Sequence, residues 1–254
     1  FLFSKVYQKS NKQEQLDTIW PYLKRVVTLY IYWTIVFLPI TIWWYFKNDL
    51  TFQQDLVLFI RGTFFFGENY YSWPLWFLLS MIYGIALIYL LMLMNLKLKP
   101  IFLISIALFI MANVFNYLVK GESKNSLLLE TGRVIKYLFL SGRLFTGMFY
   151  LIVGGLIALN RIKLSKIALV GITIAAISFQ FFGLEIISPL MFGLLPIVLF
   201  YLTIGLQLPA IGNSLFFRKC STVLYFTHMI VFFLYSLVFK KIPYLVGMPF
   251  WFRS

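Results

Sequence analysis

Seven apolar stretches separated by short polar connections dominate this chain: Val26–Phe46, Trp73–Asn95, Ile101–Leu118, Leu144–Leu159, Ile167–Phe182, Ile187–Leu206 and Ser221–Phe239. A helix that crosses a bilayer needs about 20 predominantly apolar residues, because each residue rises about 1.5 Å and the hydrocarbon core is about 30 Å thick. The runs are continuous rather than alternating, so they read as helices and not as strands of a barrel. Hydrophobic residues make up 61% of the 254 and charged residues only 12%, more apolar surface than a soluble core can hide. The expected fold is therefore an all-α polytopic transmembrane helix bundle of about seven spans. One membrane domain over residues 1–254 is expected, because no polar linker is long enough to separate two. The stretch QQDLVLFIRGTFFF, residues 53–66, is apolar but short and holds Asp55 and Arg61. It reads as an interfacial helix, with a loop packed on the bundle as the alternative.

The formal net charge of +14 would point to nucleic acid in a soluble protein. Here the cations sit in short connections between apolar runs, which is how topology is encoded in a membrane protein, so the expected partner is the lipid bilayer and not nucleic acid. With the N-terminus in the cytoplasm, the two net-negative connections, residues 47–72 and the one holding Glu185, lie outside. The basic connection 119–143 and the basic tail run against that rule. A basic loop at 119–143 on the outer face would attract acidic glycan or lipid phosphate; a merely solvated loop is the plainer reading.

Polar residues inside apolar runs mark bundle interiors or wet cavities, since hydrocarbon offers them no hydrogen bond. Ser221, Tyr225, His228, Phe232 and Tyr235 recur at steps of four and three and so share one helical face. His228 is the only histidine in the chain and lies about 10 Å along the helix axis from Ser221. It reads either as a cavity residue that handles a proton or orients a ligand, or as a neutral ring bonded to a neighbouring helix. Arg143, Gly147, Tyr150 and Gly154 share another face with room for close helix approach. Asn113, Asn116 and Tyr117, the pair Thr173 and Gln180, and the helix breakers Pro39, Pro189, Gly193 and Pro196 are weaker candidates.

What is missing narrows the chemistry. One His and one Cys, Cys220, preclude a cysteine–histidine metal cluster and an intrachain disulfide, and no metal is expected. Cys220 reads as a small loop residue, although Arg218 and Lys219 beside it would favour a thiolate. There is no GxSxG elbow, P-loop or GxGxxG fingerprint. All eight carboxylates fall outside the apolar runs, which argues against a carboxylate proton relay and hence against an ion-coupled transporter.

Five stretches, taken in order, resemble the acyltransferase 3 family, bacterial integral-membrane proteins that O-acylate envelope glycans and related acceptors. FLFSK (1–5) looks like the end of that family's second span, and LKRVVTLYIYW (23–33) like the basic entry to the next. SWPLWFLLSMIYG (72–84) is similar to its Leu-Trp-Phe-Leu span start. GRLFTGMFYLIVGGLIA (142–158) is similar to its Arg-x-Phe…Phe…Gly helix, and RKCSTVLYFTHMIVFFLY (218–235) to its Ser-x-x-x-Tyr-x-x-His span. The resemblance implies transfer of an acyl group, acetyl above all, from acyl-coenzyme A (acetyl-coenzyme A) to a hydroxyl of an envelope glycan, in the bacterial cytoplasmic membrane. It implies that His228, with Tyr225 and Arg143, lines a tunnel and that Lys24 and Arg25 hold donor phosphate, although the family's second arginine falls here on Thr28. The family's catalytic His and Arg belong to its first span, which would precede Phe1. The expectation is thus a fragment lacking the first spans, or a degenerate copy. Tyr70, Tyr71, Trp73 and Trp76 would stack on sugar faces, or else form an interfacial aromatic belt. A flippase or transporter of lipid-linked glycans, and a structural or sensory membrane subunit, are the competing functions.

Overall fold

A computed structural model of the chain describes residues 5, 6, 8, 9, 11–48, 51–70, 72–120, 126–139, 142–159, 165–181, 193–205 and 214–239. The described residues are helical, without a strand. In chain order the helices are α1 (Lys12–Lys47), α2 (Phe52–Arg61), α3 (Leu75–Leu93), α4 (Leu98–Lys120) and α5 (Ser126–Phe139), then α6 (Thr146–Ala158), α7 (Lys166–Phe181), α8 (Leu195–Gly205) and α9 (Ser214–Phe239). One π-helical turn, Gly62–Phe66, prolongs α2, and a 3-10 turn, Arg143–Phe145, leads into α6.

Three described helices are long and apolar enough to cross a membrane: α1, α3 and α4; a fourth span results if α5 and Arg143–Ala158, bent by 67°, form one broken span. The expectation of seven spans is thus met only in part. The described part of α7 has 16 residues, the described apolar stretch within α9 (Ser214–Phe239) is Cys220–Tyr235, and much of Ile187–Leu206 lies outside the described residues.

α1 is the pillar of the bundle. Asn11 caps it by accepting a hydrogen bond from the Gln13 amide at 3.0 Å, which satisfies one of the donors a helix start leaves open. The helix runs through Pro21 and Pro39 for 36 residues, about 54 Å at 1.5 Å per residue. Its buried residues, Leu16, Ile19, Leu23, Val26, Tyr30, Trp33, Phe37 and Thr41, recur at steps of three and four and form one continuous stripe.

Two helices divide that stripe. α3 runs antiparallel along the first half: the Lys12 ammonium donates to the Leu93 carbonyl at 3.0 Å and to Asn95 Oδ1 at 2.6 Å, and the Trp20 and Tyr89 rings lie 5.7 Å apart. α9 runs parallel to the second half, with Phe226 stacked on Trp33 at 4.8 Å and Phe233 edge-on to Trp43 at 5.4 Å. The stagger sets the charged turn at Lys24 and Arg25 alongside the body of α3 rather than past its end.

α6 crosses α3 so closely that no side chain fits between them. A Cβ on Gly147 would lie 2.4 Å from the Ser80 carbonyl oxygen, and one on Gly84 would lie 2.8 Å from the Met148 nitrogen. Ser80 uses that proximity: its hydroxyl is within bonding distance of the Arg143 and Leu144 carbonyls (3.2 and 3.0 Å) and accepts from the Gly147 amide at 2.9 Å. α6 in turn packs on α4 through Phe149 stacked on Phe109 at 4.3 Å.

α2 is inverted relative to a soluble helix. Phe52, Leu56, Val57 and Ile60 are exposed, whereas Asp55 Oδ1 and Arg61 Nε are shielded from solvent without a hydrogen bond. An apolar outer face with charges turned inward suits lipid and agrees with the interfacial reading of 53–66.

Ser80→Ala leaves the buried Gly147 amide without an acceptor and is expected to cost about 1–3 kcal/mol. Gly147→Val, which drives a branched side chain into the Ser80 backbone, is expected to abolish the monodisperse detergent-purified protein. Size-exclusion profiles and thermal unfolding in detergent check both.

Candidate functional site

The helix that carries the lone histidine buries a different face from the polar one. Phe226, Met229 and Phe233 of α9 are buried, while Ser221, Tyr225, His228, Phe232 and Tyr235 are exposed. The aromatic rings of α1 reward apolar partners, so the apolar stripe takes the core. The His228 imidazole therefore lies on the outer surface of the described helices, 6.0 Å from the Tyr225 ring between centroids. The expected enclosed tunnel around it is not formed by the described residues.

A groove does open beside it. Leu29 of α1, Phe77 and Leu78 of α3, and Ser221, Thr222, Tyr225 and Phe226 of α9 wall an open cavity of about 550 Å³. Tyr225 closes one flank by an edge-on contact with Phe77 at 6.5 Å. Arg25 stands one helical turn before Leu29 on the same stripe of α1 and is exposed. Lys24 faces elsewhere, with its ammonium 5.3 Å from the Trp20 ring centre. Adjacent residues on a helix point about 100° apart, so Lys24 and Arg25 leave α1 in different directions.

The third candidate, Arg143, belongs to a second site. Gly142 adopts φ 67°, a left-handed conformation that glycine enters without steric cost, and the chain turns there into α6. The turn aims the Arg143 guanidinium at Glu68, with Nη1 3.7 Å from Oε2, and sets it 5.8 Å from the Trp76 ring centre. That separation allows ion pairing but not a hydrogen bond, and Glu68 Oε2 is buried without a hydrogen-bond partner. Burial pushes the Glu68 carboxyl above the ordinary carboxylate range, and the Arg143 guanidinium opposes it with a smaller effect.

The π-helical turn holds this site in place. The Tyr30 hydroxyl donates to the Thr63 carbonyl at 2.5 Å and the Tyr83 hydroxyl to the Phe64 carbonyl at 2.6 Å. Arg61 donates to the Tyr137 carbonyl and lies 3.8 Å from the centre of that ring, which ties α2 to α5. Ser72, fully buried, accepts from the Asn69 amide at 2.6 Å. π-Helical turns recur at functional sites.

Sequence reasoning passed over Glu68. A lone acid in a connection carries no local signal, and its partner is far along the chain. The expected sugar-stacking aromatics divide: Tyr70 stacks on Trp44 at 5.0 Å, Trp76 lies beside Arg143, Trp73 is exposed, and Tyr71 lies outside the described residues. Among the weaker candidates, Asn113 and Thr173 bond carbonyls of their own helices, and the Tyr150 hydroxyl donates to the Gly193 carbonyl at 2.8 Å. Pro189 and the Gln180 side chain lie outside the described residues. No group of three or more His, Cys, Asp or Glu able to hold a metal occurs among the described residues. No family model, curated protein or solved structure matches the chain.

A carboxyl whose folded pKa is raised contributes most stability below its unfolded value, and that contribution is lost as pH climbs through the folded one. Glu68→Gln, a permanent mimic of the neutral acid, is therefore expected to match the parent in acid and to melt at least as high at neutral pH. Arg143→Gln leaves the carboxylate unpaired and is expected to melt lower at neutral pH but not in acid. Melting temperatures of the detergent-purified proteins across that range check the sign of both.

Proposed function

We propose that the chain is part of an integral-membrane O-acyltransferase of the bacterial cytoplasmic membrane, a bundle of about seven spans that moves an acyl group from acyl-coenzyme A to a hydroxyl of an envelope glycan. The observation that carries the reading is the meeting of three stretches that resemble the acyltransferase 3 family. Residues 72–84 and 142–158 interlock through Ser80 and Gly147, and residues 72–84 meet 218–235 through Phe77 and Tyr225. Stretches far apart in sequence that share a likeness to one family are thus neighbours in space.

The roles follow from chemistry. A hydroxyl attacks a thioester only as a base removes its proton, and the family assigns that base to a His of its first span, which the five resembling stretches do not include. The residues here bind and orient. Arg25, exposed beside the groove, supplies positive charge for donor phosphate, with Lys24 set apart on another face. Tyr225 and His228 offer a hydroxyl and an imidazole at the groove's edge for the acceptor. Arg143, held by Glu68, marks the acceptor's entrance.

His228→Gln in the intact native gene product is expected to leave membrane expression unchanged and to lower acylation of the envelope glycan at least tenfold. Normal acylation at normal expression reduces His228 to a packing residue. A photoreactive acyl-coenzyme A analogue separates the transferase from a flippase: saturable labelling, lost in Arg25→Ala, is expected, and absence of labelling in the intact gene product overturns the proposal.

A further inference from the structure

The groove between α1, α3 and α9 has a polarity that changes along its length. Because α1 and α9 run parallel, with Trp33 level with Phe226, Ser221 lies near the level of Leu29 and the preceding turn of α9 near that of Arg25. Arg25 is exposed, and among the described residues no carboxylate lies within ion-pair distance of it. The order is therefore Arg25, one turn before the lining begins at Leu29, then the hydroxyl-bearing positions 221 and 222, then the apolar walls Phe77, Leu78 and Phe226.

We propose that this groove seats one anionic phospholipid, its phosphate on the Arg25 guanidinium, its ester oxygens beside Ser221 and Thr222, and one acyl chain along Phe77, Leu78 and Phe226. The charge order of the groove matches the order phosphate, ester and chain in such a lipid. A cavity of about 550 Å³ is within the size range of ligand sites. Its opening lies on the exposed flank of the helices, where lipid reaches it from the side. A cation with no carboxylate partner among the described residues, set beside an apolar helix, gains most from a ligand that brings both an anion and a hydrocarbon chain. The inference goes beyond the acyltransferase reading and stands without it. If both hold, lipid and acyl donor compete for one guanidinium.

Native mass spectrometry of the detergent-purified protein, titrated with phosphatidylglycerol or phosphatidylcholine of equal chain length, tests the proposal. The parent is expected to retain one phosphatidylglycerol with at least tenfold preference. Arg25→Gln is expected to bring retention down to the phosphatidylcholine level, and Thr222→Trp, which fills the groove, to remove the bound lipid altogether. Should Thr222→Trp fail to fold, Leu29→Trp fills the same space from α1. Equal retention of the two lipids by the parent overturns the proposal, as does unchanged retention in the variants. Displacement by millimolar inorganic phosphate also overturns it, because the site is then a phosphate site with no use for the chain. No readout depends on acyl transfer, so failure here and failure of the proposed activity are told apart.

Discussion

α1 has one buried stripe, and most of the architecture follows from how α3, α9 and the π-helical turn share it. α3, with 19 residues, covers about 28 Å at 1.5 Å per residue and cannot accompany α1 along its whole length. Its contacts run from Lys12 to about the level of Leu29, and α9 takes over from Trp33 onward. The groove lies at that handover, where one neighbour ends and the next begins. It is a product of unequal helix lengths.

A second fixed point is the crossing of α3 and α6. Small residues let the two backbones touch, and the Ser80 hydroxyl then serves the Arg143 and Leu144 carbonyls and the Gly147 amide at once. Because two of those groups belong to the turn that carries Arg143, packing and site share the same few atoms. The direction in which Arg143 meets Glu68 is set from beneath by a serine that touches neither side chain.

The helical class, three of the spans and a separate short helix within 53–66 were legible in the sequence, because local hydropathy depends on nothing distant, whereas the inward turn of Asp55 and Arg61 was not. The face that α9 would bury was not. Its polar stripe and its apolar stripe are both periodic, and only the rings waiting on α1 decide between them. Lys24 and Arg25 leave α1 in different directions for a local reason: neighbours in sequence diverge on a helix, and Trp20 engages the lysine. The role of Gly147 in a close approach was readable from the small residues around it, whereas Glu68 needed the fold to bring it to Arg143.

The length of α1 has a mechanical side. Nearly twice as long as hydrocarbon is thick, it is fastened near Lys12 to the far end of α3 and near Trp43 to α9. A rod fastened at both extremities resists tilting, so strain on it is taken up along its length, where Pro21 and Pro39 each remove a backbone hydrogen bond.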